Sequence, residues 1–283
     1  MSKILITGAS GQLGSEIKQL TKQSPDYIFT DIEELDICSK EAGESFLDAN
    51  DISSVLNCAA YTNVEGAESD FQTAKAVNGE AVAVLAQACA DRDLWLIHIS
   101  PDYVFDGSAS FPYREADRPH PQNAYGRTKY MGETAIHKSG CKSVIIRTGW
   151  LYSSFGKNFV KSIIAKGMEN DSIKVVYDQK GTPTYARDLA EAILKILPQL
   201  KEPRYGEVFH YSNMGECSWA DFAAKILASK HIECVVEPCS TEDYPSLAKR
   251  PACSVLDKSL IIKTFGLSIP TWERSLSKML RLV

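Results

Sequence analysis

The sequence predicts an α/β fold, a doubly wound parallel sheet, on three observations. Short apolar runs alternate with helical segments over the first half of the chain; a glycine-rich turn joins the first run to the first helix; and an aspartate, Asp31, ends the second run. Strands alternating with helices make βαβ units with parallel strands and right-handed crossovers. In order, Lys3 to Thr7 reads as a strand, Leu13 to Leu20 as an amphipathic helix and Tyr27 to Thr30 as the second strand. Val55 to Ala60 and Leu94 to Ser100 read as the third and fourth strands, with an alanine-rich helix, Ala76 to Ala90, between them. A helix from about Ala124 to Lys138 stops at Gly140, a good helix-ending residue, and Ser143 to Thr148 is the fifth strand.

Beyond Thr148 the pattern loosens. Gly149 to Thr184 mixes aromatics, glycine and proline; Arg187 to Leu197 is a clear helix and Val208 to Tyr211 a short strand. The rest, with Pro238, Pro245, Pro251 and Pro270, reads as a loop-rich lobe, and the runs Glu33-Glu34 and Glu237 to Glu242 as solvated loops. The division expected is a nucleotide-binding domain over 1–149, with about 185–213 returning to it, and a smaller C-terminal substrate-binding lobe made of 150–184 and 214–283.

Composition bounds the function. The 283 residues are 44% hydrophobic and 24% charged, an ordinary soluble balance that argues against disorder. With 31 Lys and Arg against 36 Asp and Glu the formal charge is −5, which argues against nucleic-acid or anionic-membrane partners. No apolar run approaches the roughly 20 residues that span a bilayer, and the start is too quickly glycine-broken for a signal peptide. The eight cysteines include no C-x-x-C pair and no histidine at metal-site spacing, so no metal site is expected and reduced thiols in the cytoplasm are.

Gly8-Ala9-Ser10-Gly11-Gln12-Leu13-Gly14 follows the first strand and opens a helix. Glycines there permit a tight turn, close approach of backbone to a pyrophosphate and close helix–sheet packing, while the helix N-terminus offers free N–H groups to phosphate. Asp31 is placed to accept hydrogen bonds from an adenosine ribose. The fold is therefore Rossmann-type and the site dinucleotide-binding, with Gly8, Gly11, Gln12, Leu13, Gly14 and Asp31 at the cofactor. No arginine stands beside Asp31 to favour a 2′-phosphate, so NADH is expected to be usable, with NADPH or NADH as the cofactor.

Tyr125-Gly126-Arg127-Thr128-Lys129 sets a phenol and an ammonium at i and i+4, on one helix face. A fixed ammonium beside a phenol stabilises phenolate and lowers a pKa near 10, and such a tyrosine can give its proton to a developing alkoxide. Asn57-Cys58-Ala59-Ala60 follows the third strand; Asn78 and Lys75 read as ordinary helix residues, and His98 as a satisfied core histidine.

These motifs resemble the extended short-chain dehydrogenase/reductase family, with its glycine spacing, its Y-x-x-x-K pair and its N-x-A-A segment. Within it, His98-Ile99-Ser100-Pro101-Asp102-Tyr103-Val104-Phe105-Asp106-Gly107 resembles the H-x-S-T-D-Y-V-F-x-G stretch of the dTDP-4-dehydrorhamnose reductases. Arg147 to Tyr152 resembles their R-T-S-W-x-Y, Asp178 to Thr184 their D-Q-x-G-x-P-T, and Arg250-Pro251 their C-terminal R-P motif. The resemblance, which runs from Lys3 to about Leu280, implies reduction by NAD(P)H of the C4 carbonyl of dTDP-4-dehydro-β-L-rhamnose. It implies Tyr125 as proton donor, Lys129 as its partner and as a contact of the nicotinamide ribose, and Asp36, Ala60, Tyr61 and Thr62 near the cofactor. Asp102, Trp150 and Arg250 would face the sugar nucleotide, Arg250 because a guanidinium can clamp diphosphate. It extends to magnesium, for which the sequence assigns no ligands, and leaves a homodimer open.

One position departs. The family's catalytic threonine falls on Pro101, which has neither hydroxyl nor backbone N–H. Losing one such donor costs about 3 kcal/mol of transition-state stabilisation. Ser100 is the nearest hydroxyl and a candidate substitute, although strand alternation points it to the opposite face, and Asp102 is another. The departure keeps a second reading in view, a non-catalytic NAD(P)-binding regulatory homologue. A sugar-nucleotide dehydratase would need an Asp-Glu pair where this chain has Asp102 and Tyr103.

Overall fold

The computed structural model describes residues 2–283. Five strands, β1 (Lys3–Thr7), β2 (Tyr27–Thr30), β3 (Ile52–Asn57), β4 (Trp95–Pro101) and β5 (Lys142–Thr148), are joined by a sixth, Glu207–His210, in one sheet of order β2-β1-β3-β4-β5-(207–210). Every pairing is parallel. The order reverses between β1 and β3, and the crevice beyond the strand C-termini at such a switch point is where ligands bind.

The strands are buried on both faces, which is why they read as apolar runs without clean alternation. Ile6, Leu56, Ile97 and Ile146 face one core with Leu13 and Ile17 of the first helix, α1 (Gln12–Leu20), and Leu189 and Ile193 of the Ala186–Ile196 helix. Their neighbours Leu5, Val55, Leu96 and Ile145 face the other, with Leu47, Val82, Leu85 and Ile136. A third core, built on Tyr152, Tyr185, Phe222, Trp272 and Leu276, holds residues from beyond β5.

Several sequence expectations are corrected. The third strand lies earlier than Val55 to Ala60, because after Asn57 the chain leaves the sheet to pack against Gly8. The helix expected over Ala76 to Ala90 begins as a π-helical turn, Ala76–Glu80, before the α-helix Ala81–Asp91. The chain beyond Thr148 is less loop-rich than its prolines imply: Phe159–Glu169, Trp219–Ser229, Ser259–Phe265 and Trp272–Met279 are helices. Glu237 is not in a loop but on the strand Val235–Cys239, parallel to Ser172–Val176 and opposite Lys174. Pro238 misled because a two-stranded ribbon has only edges, where proline is tolerated.

Candidate active site

The glycine turn is shaped by close approach. Gly8 has φ +66°, and a Cβ there would lie 2.6 Å from the backbone nitrogen of Ala59; a Cβ on Gly14 would lie 2.5 Å from the carbonyl oxygen of Gly8. Side chains at either point would close the cradle between β1 and β3. Gly11 caps α1 with no side-chain hydrogen bond, so the helix presents bare N–H groups, an arrangement that fits a pyrophosphate. Leu13 puts its side chain in the core, leaving only its backbone for a ligand, and Gln12 spans to the Leu151 carbonyl (3.4 Å) and Asn158 (3.1 Å). Asp31 accepts from the backbone N–H of Ser10 at 2.7 Å. Burial pulls its carboxyl up, but the Ser10 hydroxyl and the Ser10 and Ile32 N–H groups outweigh that and hold it below the usual carboxylate range. Asp36 is exposed and accepts from Cys38 N–H at 2.9 Å, closing a turn.

Ala60, Tyr61 and Thr62 line the exit of β3. They are held by Asn78, whose Oδ1 accepts from Tyr61 N–H (2.9 Å) and whose Nδ2 donates to the Tyr61 carbonyl (3.0 Å) and Thr128 Oγ1 (3.2 Å). The reading of Asn78 as an ordinary helix residue is thus corrected: it is fully buried in the π-turn and ties this segment to the helix carrying Tyr125. Lys75 does pair on the surface, with Glu80.

That helix, Ala124–Ser139, is capped by Asn123, which accepts from Gly126 N–H at 2.8 Å, and ends at Gly140 in the left-handed region. Any side chain at Gly126 would collide with the Tyr103 carbonyl, so the helix start presses on the turn after β4 and seats Tyr125 edge-on to Tyr103, ring centroids 5.9 Å apart. Lys129, one turn on, is 2% exposed, and its Nζ stands 3.2 Å from His98 Nε2. Burial brings the Lys129 amine down to about 8 against the opposing pull of Glu133 and Cys58. The expectation of a depressed phenol is reversed: burial, with Asp102 and Tyr103 adding to it, pushes Tyr125 up, so it keeps its proton. His98 is satisfied, as expected of a core histidine, but its partners are Lys129 and Asn57.

Ser100, the nearest hydroxyl to the missing threonine, is engaged on the other face of the strand. Its Oγ donates to Glu133 Oε1 at 2.5 Å, and Glu133, fully buried, also takes a bidentate Arg147 at 2.9 and 2.6 Å. Strand alternation sends Ser100 under the helix, as the sequence implies. Asp102 is different: it is 2% exposed, lies against Gly149, and its Oδ2 has no hydrogen-bond partner. Burial pushes its carboxyl up to about 7 despite hydrogen bonds from Ser254 and from backbone N–H groups.

Trp150, at φ +50°, lies flat on Trp219 with centroids 3.5 Å apart, and Gly181 gives it room. Arg250 Nη2 donates to Glu65 Oε1 at 2.8 Å, while its buried Nε has no partner. Among the described residues no three of His, Cys, Asp and Glu form a metal-holding group, and no helix is long and apolar enough to cross a membrane.

The comparisons agree from end to end. Residues 2–283 match the family model described as RmlD substrate binding domain. A dTDP-4-dehydrorhamnose reductase of Aggregatibacter actinomycetemcomitans is 38% identical, with 99% of this chain and 98% of that protein covered. A solved dTDP-4-dehydrorhamnose reductase of Clostridium acetobutylicum superposes with TM-score 0.94 at 40% identity, covering 99% of each chain. Another, of Bacillus anthracis in complex with NADP, gives 0.95 at 35% identity, covering 100% of each. Likeness of this extent places the chain in the RmlD substrate binding domain family, the family of the dTDP-4-dehydrorhamnose reductases.

Proposed function

We propose that this protein reduces the C4 carbonyl of dTDP-4-dehydro-β-L-rhamnose to the alcohol, giving dTDP-L-rhamnose, with NAD(P)H as reductant. The observation that carries the reading is the buried Lys129, one helical turn from Tyr125 and 3.2 Å from His98 of β4, in a chain related over its whole length to such reductases. Gly8, Gly11, Gly14 and the α1 N-terminus hold the pyrophosphate, Asp31 the adenosine ribose, and Ala60, Tyr61, Thr62 and Asp36 complete the cofactor's surroundings. When bound there, the nicotinamide would supply the hydride for the carbonyl carbon. Tyr125, whose burial keeps its hydroxyl protonated, gives that proton to the carbonyl oxygen, and Lys129, one helical turn on, would hold the nicotinamide ribose.

Residues 150–184 and 214–283 serve as the substrate lobe, with Trp150 against the sugar nucleotide and Arg250 on its diphosphate. Asp102 takes the part of the absent threonine. A carboxyl that keeps its proton up to about pH 7 can donate a hydrogen bond, and its free Oδ2 is the unpartnered polar group nearest Pro101 in sequence. Eight unpaired cysteines fit a reducing compartment such as the cytoplasm.

The test is to mix protein, NADPH and the keto sugar nucleotide and follow loss of nicotinamide absorbance, with the sugar product identified by mass and NMR. Turnover supports the reading. Inert protein with demonstrably bound cofactor would replace it with the non-catalytic binder that Pro101 also suggests.

A further inference from the structure

A chain of buried hydrogen bonds runs from β1 across the sheet to Lys129, and its polarity is fixed at one end. The backbone N–H of Ala59 donates to Asn57 Oδ1 at 3.2 Å, and Thr7 Oγ1 donates to the same oxygen at 2.7 Å. A hydroxyl can turn but a backbone N–H cannot become an acceptor, so the Asn57 amide has one orientation, Nδ2 outward. That Nδ2 stands 3.1 Å from His98 Nδ1. His98, with no exposure, is neutral at neutral pH: burial first, and the Lys129 charge second, put its pKa well below the ordinary range. A neutral imidazole has one N–H. With Nδ1 accepting from Asn57, the proton belongs on Nε2, which faces Lys129 Nζ at 3.2 Å.

We propose that His98 is a positioning residue for Lys129, its Nε2–H donating to the Lys129 amine and so stabilising the uncharged form. The proposal rests on the reductase reading and deepens it. An ammonium has no lone pair to accept that hydrogen, so protonating Lys129 drives the His98 proton to Nδ1, against the Asn57 donor. Lys129 consequently gives up a proton more readily than burial alone dictates. The other groups around the pair do not supply the effect. Cys58, at the exit of β3, is held up to about 12 by burial and stays a thiol. Glu133, one turn along the helix, is taken by Arg147 of β5 and Ser100 of β4, and pulls Lys129 the other way. Tyr125, one turn before, keeps its proton.

The test reads the imidazole directly. In full-length protein with ¹⁵N-labelled histidine, assigned by loss of one of five signals in His98→Leu, the ring nitrogens report the tautomer above the Lys129 titration. Nε2–H is expected, and Nδ1–H overturns the proposal. Asn57→Asp turns the donor at Nδ1 into an acceptor. It should move the proton to Nδ1 and raise the inflection assigned to Lys129 in the pH profile of single-turnover hydride transfer by about one unit, tenfold in proton affinity. Because the new carboxylate also acts by its charge, the same change is made in the His98→Leu background. A shift that shrinks without the imidazole supports the proposal; one that persists undiminished overturns it. The wild-type tautomer decides the matter alone if the variants do not fold. It requires no turnover, so inert wild-type protein would remove the reductase reading and leave this assignment to be judged by NMR.

Discussion

Arg250 and Glu65, 185 residues apart, meet at 2.8 Å, and the same carboxylate accepts from the backbone N–H groups of Leu247 and Ala248. Glu65 lies on the short Val64–Ser69 helix that follows β3. The segment carrying Arg250 is thus fastened to the helix that follows β3 by one acidic side chain. Both partners are about one-third exposed, so the pair adds little to stability; its consequence is the direction in which the guanidinium points.

Arg250→Lys keeps the charge and loses the planar fork. KM for the sugar nucleotide should rise at least about tenfold, with the dissociation constant for NADPH unchanged. Equal KM for the two proteins in steady-state assays would remove Arg250 from the diphosphate.

Tyr125→Phe removes the proton donor and keeps the ring against Tyr103. Turnover should fall by a factor of about 10² to 10⁴ while cofactor binding, read by fluorescence titration, persists. More than a tenth of wild-type kcat would refute the assignment.

If Asp31 holds the adenosine ribose as proposed, cofactor choice turns on it. Its carboxylate is held ionised by Ser10 and Ile32, and Glu33 and Glu34 follow it, so a 2′-phosphate meets negative charge. NADH is expected to be used beside NADPH, and Asp31→Ala should move the preference toward NADPH. Titration of both cofactors checks this; binding of NADPH a hundredfold tighter than NADH in wild type would contradict it.

Asp102 gives a pH prediction with a definite sign. The native carboxyl holds its proton up to about pH 7 and the unfolded one only to about 4, so between these values the native state binds more protons and stability falls as pH rises. Asp102→Asn, always neutral and still a donor, should abolish that decline, and its Tm should exceed wild type above pH 7. The same variant should keep most of kcat and lack the fall in kcat expected of wild type through pH 7, whereas Asp102→Leu should lose about a hundredfold. Pro101→Thr should raise kcat if the donor at Asp102 is imperfectly placed; a wild type and a Pro101→Thr variant that are both inert would end the reductase reading.

Arg147→Met leaves Glu133, fully buried, with Ser100 alone. An uncompensated buried carboxylate costs about 3–5 kcal/mol, read as a lower urea midpoint. Adding Glu133→Gln should restore much of the loss.

Features set by neighbours along the chain were legible before any fold was known. The continuous apolar runs of β1, β2, β4 and β5, the glycines required by a turn, and Tyr125 and Lys129 four apart follow from short apolar stretches, backbone sterics and the 3.6-residue helical repeat, and these act locally. What a side chain meets across the sheet has no such period. His98 could be read only as buried; that it touches Lys129 depends on a helix that begins 26 residues later. Ser100 looked like a spare hydroxyl until Glu133, 33 positions on, was seen to occupy it. Asn78 joined Tyr61 to Thr128 by contacts spanning 17 and 50 positions, and Pro238 suggested a loop until Ser172–Val176 supplied a partner strand. The sequence by itself determined the elements that local periodicity marks up to Thr148 and where the glycine turn lies. The tertiary structure decided which polar atoms are left free, because a hydrogen bond between distant segments is chosen by packing, and only packing shows that Asp102 keeps an oxygen to spare while Ser100 does not.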